Sequence, residues 1–367
     1  MSAHKKICHL TSVHSKFDTR IFYKECKTLV NAGYLVTLVV QNNKDEVVDG
    51  VQIMGIKTPK NRQERILKTT KQVYKRALEC NADIYHFHDP ELIPVGLKLK
   101  RKGKMVIYDA HEDVPSQILS KHWIPPQLRN AISWTIEKIE NYASKRFNCI
   151  ISATDYIAKR FTQLNDHVVV IKNYPLLIED MQADKKLCER EKQICYISSH
   201  LSLQRGIVPI IQAMKNIDAK LILAGQMEQN VYDLIINLDG WEKTEYVGFV
   251  SKEEVQKIMS QSDVGLVIFS LEPNYINALP TKMFEYMRAG LPVVVNDILI
   301  LREIVDKYKC GICITPMSSD EISNAVNWIL SNPEEAEDMG TRGQYAIETE
   351  YNWEKEREKL LDLYKNL

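Results

Sequence analysis

No apolar run in this sequence approaches the ~20 residues that a membrane-spanning helix needs. Its 14 glycines and 13 prolines show no collagen-like period and no linker-like cluster. The apolar stretch after Met1-Ser2-Ala3-His4-Lys5-Lys6 covers only residues 7–10, too brief for the core of a signal peptide, so a cytoplasmic location is expected. The common nucleotide fingerprints are also missing. Without GxGxxG or GxxxxGK(S/T), a simple nicotinamide dehydrogenase or a P-loop ATPase is disfavoured. HExxH is absent, which leaves a zinc-hydrolase reading without its anchor, and no Asp-x-Asp pair is present to hold a divalent metal against a nucleotide. No RNA- or DNA-reading module accompanies the basic residues, so nucleic acid is not an expected partner. The eight cysteines are scattered, and Cys8, Cys149, Cys195 and Cys313 fall inside apolar strand-like runs, which reads as buried, reduced thiol.

What remains is an ordinary globular composition of 367 residues, 45% hydrophobic and 26% charged, a length that suggests two domains. The 48 basic and 48 acidic residues cancel overall but not locally: the chain up to residue 180 carries an excess of about nine basic residues, and the remainder an equal acidic excess. Halves so different suggest different partners, the basic one favouring anionic surfaces or substrates. Part of that charge alternates with Ile66, Leu67, Val73, Tyr74 and Leu78 at helical spacing. Two readings fit: a basic amphipathic helix lying on anionic lipid, or a solvated helix whose apolar stripe packs on its own sheet.

Short Val- and Ile-rich runs at 7–10, 35–40, 51–56, 84–87, 105–108, 149–152 and 168–171 recur between helical segments. After Asn173-Tyr174-Pro175 and a polar stretch at 179–193, the rhythm restarts at 194–197, 221–223, 246–250, 264–269, 292–295 and 312–314. Near-continuous apolarity over four to six residues predicts parallel strands covered on both faces, in two α/β domains. Helices are expected at 22–32, 126–145, 252–260, 281–288 and 319–330, with a last one from about Trp353. In such sheets ligands sit beyond the carboxyl ends of the strands, so polar residues there are the candidates.

One strand ends in His86-Phe87-His88-Asp89-Pro90-Glu91 and the next in Tyr108-Asp109-Ala110-His111-Glu112. Period-two spacing puts His86 and His88 on one strand face, a possible metal pair, but the ligand count is ambiguous and no metal is assigned. His111 at a strand tip suits a hydrogen bond to a sugar hydroxyl or to developing charge, while the deeper His86 reads as structural. In the second half a loop at 270–280 opens a helix that begins with Thr281 and Lys282 and carries Glu285, and helix-start amides bind anions. Gln204-Arg205-Gly206 follows a strand, and Arg205 suits a phosphate. Together these outline a diphosphate pocket.

The segment from Asn277 to Asp297, NALPTKMFEYMRAGLPVVVND, followed by Glu303-Ile304-Val305, resembles the donor-binding Glu-x7-Glu segment of the retaining glycosyltransferases of family four. Phe17-Asp18-Thr19-Arg20, Ala32-Gly33-Tyr34, His88-Asp89-Pro90-Glu91-Leu92, Asn173-Tyr174-Pro175 and Tyr351-Asn352-Trp353-Glu354 support the likeness, which spans nearly the whole chain. The resemblance implies the α/β fold called GT-B: two Rossmann-like, doubly wound domains facing across a cleft. An acceptor domain would cover 1–175, a donor domain 176–350, and a helix at 351–367 would pack back on the first domain. It implies transfer of a sugar, with retained configuration, from a nucleotide-diphosphate donor of UDP or GDP type to a hydroxyl of a glycan or lipid-linked acceptor, in cell-surface polysaccharide biosynthesis. The donor would be a co-substrate; no cofactor or metal is implied. By resemblance, Glu285 holds the ribose, Arg205 and Lys282 face the diphosphate, and Gly206, Ala278, Leu279, Pro280 and Thr281 line the donor. His111 contacts the donor sugar, and Asp18, Arg20, His88 and Asp89 lie on the acceptor side.

Three positions depart from the family pattern. Asn277 replaces the first Glu, Ser198-Ser199-His200 replaces a Gly-Arg pair, and the run from Ser12 to Asp18 replaces a glycine-rich loop. Two other readings share these residues: a GT-B epimerase acting on a sugar nucleotide alone, and a non-catalytic sugar-nucleotide or glycan-binding subunit. The basic first half adds the expectation of peripheral contact with an anionic membrane at its inner face.

Overall fold

The computed structural model describes residues 5–121, 124–177 and 192–367. The polar stretch anticipated at 179–193 lies outside the described residues except for its last two. Two compact units emerge, Met1–Asn173 together with Trp353–Leu367, and Tyr174–Asn352.

The first unit is built on β1 (Lys6–Leu10), β2 (Leu35–Gln41), β3 (Glu46–Val48), β4 (Val51–Ile56), β5 (Ile84–Phe87), β6 (Met105–Ala110), β7 (Cys149–Ser152) and β8 (Val168–Val170). These pair in the order β3-β4-β2-β1-β5-β6-β7-β8. All neighbours are parallel except β3 and β4. Strands β5 and β7 are buried at every residue, as expected for strands covered on both faces. The antiparallel β3 leaves no strand signal in the sequence, because three partly or fully exposed residues give no apolar run. Its hairpin is closed by Asp49 and Gly50, with φ of 49° and 78°, the left-handed pair that a two-residue turn requires.

The second unit contains β9 (Gln193–Leu201), β10 (Lys220–Met227), β11 (Thr244–Gly248), β12 (Val264–Val267), β13 (Val293–Asn296) and β14 (Gly311–Ile314), in the order β11-β10-β9-β12-β13-β14. Each sheet therefore turns back once, at β1 and at β9. Loops that leave in opposite directions at such a point open a crevice at the carboxyl ends of the strands.

The helix expected at 22–32 starts earlier. Asp18 caps it by accepting from the amides of Arg20 and Ile21, and its first eight residues, Thr19–Cys26, form a widened helix that tightens over Lys27–Asn31. The last helix, Trp353–Asn366, belongs to the first unit: Trp353 Nε1 donates to Thr28 Oγ1 at 3.0 Å, and the Lys172 amide donates to Glu356 at 2.9 Å. Helices Leu299–Tyr308 and Pro333–Thr349 add to those the pattern suggested. In the basic helical stretch made of Arg65–Thr69 and Thr70–Cys80, Val73 and Ala77 enter the core, whereas Ile66, Leu67 and Leu78 stay exposed. The apolar stripe is thus divided between the sheet and solvent. All seven described cysteines are unpaired, including Cys310 and Cys313 with their CxxC spacing, and Cys313 is only partly buried.

In the second unit Tyr286 is fully buried, and its hydroxyl accepts from the Ile197 amide at 2.9 Å, tying helix Thr281–Arg288 to β9. Its ring occupies the space beside Gly265, where an added Cβ would lie 2.4 Å from it. Gly265→Ala is expected to lower stability by about 1–3 kcal/mol through overpacking, read as a fall in the urea midpoint with an unchanged slope.

Candidate active site

At the turning point of the second sheet, the loop after β9 makes one tight turn, Leu203–Arg205, and closes with Gly206 at φ 73°. A Cβ there would also come within 2.6 Å of Ile268. The Ser270 amide donates to the Gln204 carbonyl at 2.7 Å, so the loops after β9 and β12 are fastened to each other. Arg205 Nη1 donates to Ser198 Oγ at 2.6 Å. The Lys282 ammonium lies 3.7 Å over the Tyr196 ring, buried and without a hydrogen-bond partner, although part of its stem is exposed. Burial, and then the like charge of Arg205, hold its pKa well below the usual lysine range.

Asn277 follows a short helix, Pro273–Ile276, and the partly buried Ala278, Leu279 and Pro280 lead into helix Thr281–Arg288. That helix has no side-chain cap at Pro280, which leaves first-turn amides available to an anion. Lys282 and Glu285, three residues apart, share a partly exposed face, while Met283, Phe284, Tyr286 and Met287 anchor the buried one. Lys282, Arg205, Gly206 and the segment Asn277–Glu285 therefore gather around the loops of one sheet end. His200 is exposed near the end of β9, and no interaction joins it to Arg205.

The first unit organises its strand ends around Asp109, which is fully buried on β6. Arg20 grips it with two hydrogen bonds of 2.9 Å, His111 Nε2 donates at 2.7 Å and His88 Nδ1 at 3.2 Å. Burial alone would raise the Asp109 pKa, but the charges of Arg20 and His111 and the hydrogen bonds override it and hold it well below the usual range. For His88, burial dominates and takes the pKa down to about 4 against the pull of Asp109. His111 keeps 17% of its side chain exposed, which makes it the member of this group able to meet a ligand.

Of the four residues expected on the acceptor side, only Asp18 is partly exposed. Arg20, His88 and Asp89 are turned inward. Arg20 also donates to the Ile171 carbonyl at 2.9 Å, and Asp89 accepts from Thr11 Oγ1 at 2.9 Å and from the Ser12 amide at 2.5 Å. They position the loop after β1 and His111 rather than touch solvent. His14, not singled out from the sequence, sits in that loop with Nδ1 3.0 Å from Asp18 and Nε2 3.4 Å from Asp89. The i, i+4 pair His14 and Asp18 was the available signal.

Two doubly wound sheets, parallel but for β3, with this strand order match the GT-B glycosyltransferase fold. Sucrose-phosphate synthase from Thermosynechococcus elongatus is similar over 99% of both chains, with a TM-score of 0.79 and 16% identity. HepE from Anabaena, in complex with UDP and glucose, is similar over 99% of this chain and 100% of that one, with a TM-score of 0.73 and 16% identity. Residues 19–174 match the model of Glycosyltransferase Family 4, and residues 178–345 that of Glycosyl transferases group 1. The chain belongs to the group 1 glycosyltransferases. An uncharacterized glycosyltransferase of Methanocaldococcus jannaschii is 31% identical over 181 residues, which are 48% of this chain and 45% of that protein. Spore coat protein SA of Bacillus subtilis is 24% identical over 200 residues, 51% of this chain and 52% of its own. The chain thus spans about half the length of the curated relatives it matches.

The His14 environment gives a pH dependence. Burial would lower its pKa, but the Asp18 hydrogen bond and the Asp89 and Asp18 charges outweigh that and raise it above 6.5. A raised folded-state pKa contributes stability that is complete below the unfolded value and is lost as pH rises through the folded one. The stability difference between wild type and His14→Ala, measured by thermal melts, is therefore expected to be largest below about pH 6.5 and to shrink at higher pH.

Proposed function

We propose that this chain transfers a sugar from a nucleoside diphosphate to a hydroxyl of a glycan or lipid-linked glycan, retaining the anomeric configuration and using no metal at the diphosphate. The observation that carries the reading is the Lys282 ammonium, buried without a hydrogen-bond partner beside Arg205 at the turning point of the second sheet. Two like charges and an uncapped helix start form a site that lacks only an anion. A diphosphate supplies it.

In the transfer, the bond between the anomeric carbon and the diphosphate oxygen breaks with its electrons leaving on the phosphate. The acceptor oxygen bonds to the anomeric carbon, and its proton passes to the departing phosphate oxygen. Negative charge grows on the diphosphate, so Arg205, Lys282 and the amides of the helix start stabilise the transition state more than the ground state. Glu285 holds the ribose hydroxyls, and Asn277 hydrogen-bonds sugar hydroxyls where the family pattern has a charge, which leaves the donor sugar set by neutral contacts. His111, oriented by Asp109, meets the donor sugar. Ala278 to Thr281 line the pocket, and Asp18 with the loop after β1 serves the acceptor. UDP is favoured as the nucleotide by the complexes of the Anabaena protein with UDP and with UDP-glucose.

A role in surface polysaccharide synthesis and a peripheral site on anionic lipid fit the basic first unit. The exposed Ile66, Leu67 and Leu78 among lysines and arginines support the membrane reading.

A thermal-shift screen with UDP, GDP, ADP and TDP and their glucose derivatives tests the donor. At least one is expected to raise the melting temperature of wild type, and Lys282→Ala or Arg205→Ala is expected to weaken that ligand by about 10–100-fold, the worth of one charged hydrogen bond. Because the Lys282 pKa is lowered in the free chain, affinity is expected to fall as pH rises through that pKa. No stabilisation by any of the eight compounds would sink the reading, and turnover of the donor to an epimer without acceptor would redirect it.

A further inference from the structure

Behind His111 the first unit holds four side chains whose polar atoms point at one another. His9 comes from β1, His86 from β5, His88 from the residue just beyond it, and Glu25 from the widened first helix. All are buried, three of them completely. One ligand-capable atom from each lies within 4.8 Å of the others. Glu25 Oε2 is 3.8 Å from His9 Nδ1, 3.9 Å from His86 Nε2 and 3.9 Å from His88 Nε2. His9 Nδ1 and His88 Nε2 are 3.0 Å apart. A tetrahedral ion with bonds of about 2.0–2.1 Å spaces its ligands roughly 3.3–3.4 Å apart, a value inside this range.

We propose that His9, His86, His88 and Glu25 form a structural site for a divalent transition metal, zinc in the first instance.

Two of the three histidines, His88 and His86, have outer partners of the kind that orient zinc-bound imidazoles, whereas His9 Nε2 has none. His88 donates from Nδ1 to Asp109 at 3.2 Å, so in its neutral form Nε2 carries the lone pair that faces the quartet. His86 Nδ1 is engaged by the Tyr364 hydroxyl at 2.8 Å, while its Nε2 makes no hydrogen bond. Neither oxygen of Glu25 makes one either, and Arg20 Nε stands 3.1 Å from Oε1, leaving Oε2 toward the histidines. Three imidazoles and a carboxyl group in a closed interior offer more lone pairs than protons, and a cation satisfies them together. A donor set of three nitrogens and one oxygen suits zinc or cobalt. With no exposed member, the site keeps no open position for substrate, which marks it as structural. The ion would fasten β1, β5 and the first helix, and through His88 and Asp109 it would steady His111.

These residues are separate from the diphosphate pocket, so the metal and the donor proposals fail independently. The tag-free full chain, purified without chelators, is expected to contain one zinc per chain by mass spectrometry. After chelation in mild denaturant and refolding, zinc is expected to raise the melting temperature, and cobalt to give the visible d–d bands of a tetrahedral centre. Glu25→Gln, which keeps the side-chain shape, is expected to lose stoichiometric metal. Tyr364→Phe, which removes only the His86 partner, is expected to bind about 10–100-fold more weakly with native circular dichroism. Folded wild type that is free of metal, and that neither zinc nor cobalt stabilises or colours, overturns the proposal. So does metal bound equally by wild type and both variants. If Glu25→Gln fails to fold, the cobalt titration of wild type and the Tyr364→Phe affinity still decide.

Discussion

A carboxylate with no exposed surface governs the strand ends of the first unit. Leaving Asp109 charged in the interior is expensive unless every oxygen is answered, and Arg20, His88 and His111 answer them. The consequence is a division of labour. Arg20 must come from the first helix, which requires Asp18 as its cap, and His88 must be neutral to sit where it does. Only His111, at the edge of the group, retains a path to solvent. Removing Arg20 alone would strand the carboxylate, a loss of about 3–5 kcal/mol for a broken buried pair, so the arginine is a positioning residue by energetics as well as by burial.

The second unit solves the opposite problem. Its strand-end charges are cations, and Lys282 is held close to Arg205 rather than beside a carboxylate. An aromatic face under the ammonium offsets part of the desolvation. Such an arrangement is unfavourable in the free protein and would become favourable on entry of a polyanion, which is the physical basis of the proposed diphosphate site. In the transfer proposed above, that is where charge would develop as the diphosphate leaves.

Much of the architecture was legible because parallel strands buried on both faces read as unbroken apolar runs. Residues 51–56, 84–87 and 149–152 coincide with β4, β5 and β7, and 281–288 with its helix. The failures have specific causes. Strand β3, Glu46–Val48, is three residues long and partly or fully exposed, too short for an apolar run, and the Asp49-Gly50 turn is what announces it. The apolar pattern starts the first helix three residues late, because Asp18 looks like a ligand in sequence although it acts as the helix cap. Arg20 and Asp89 look like surface ligands in one dimension, and nothing local states that Asp109, 89 residues from Arg20, will pull the arginine inward.

The same blindness explains why the histidine cluster escapes a motif scan. Metal motifs read from sequence rely on short spacings along one helix, strand or loop. Here the spacing is supplied by sheet register, which sets His9 directly opposite His86, and by a helix widened so that residues five apart, Arg20 and Glu25, share an inward face. His86 and His88 were visible as a pair, but the third and fourth members lie 77 and 61 residues before His86, beyond any local pattern. A doubly wound sheet brings the ends of sequence-distant strands together at its turning point. Clusters of polar residues from β1 and β5 are therefore a property of the topology, and they have to be sought by strand adjacency instead of by sequence spacing.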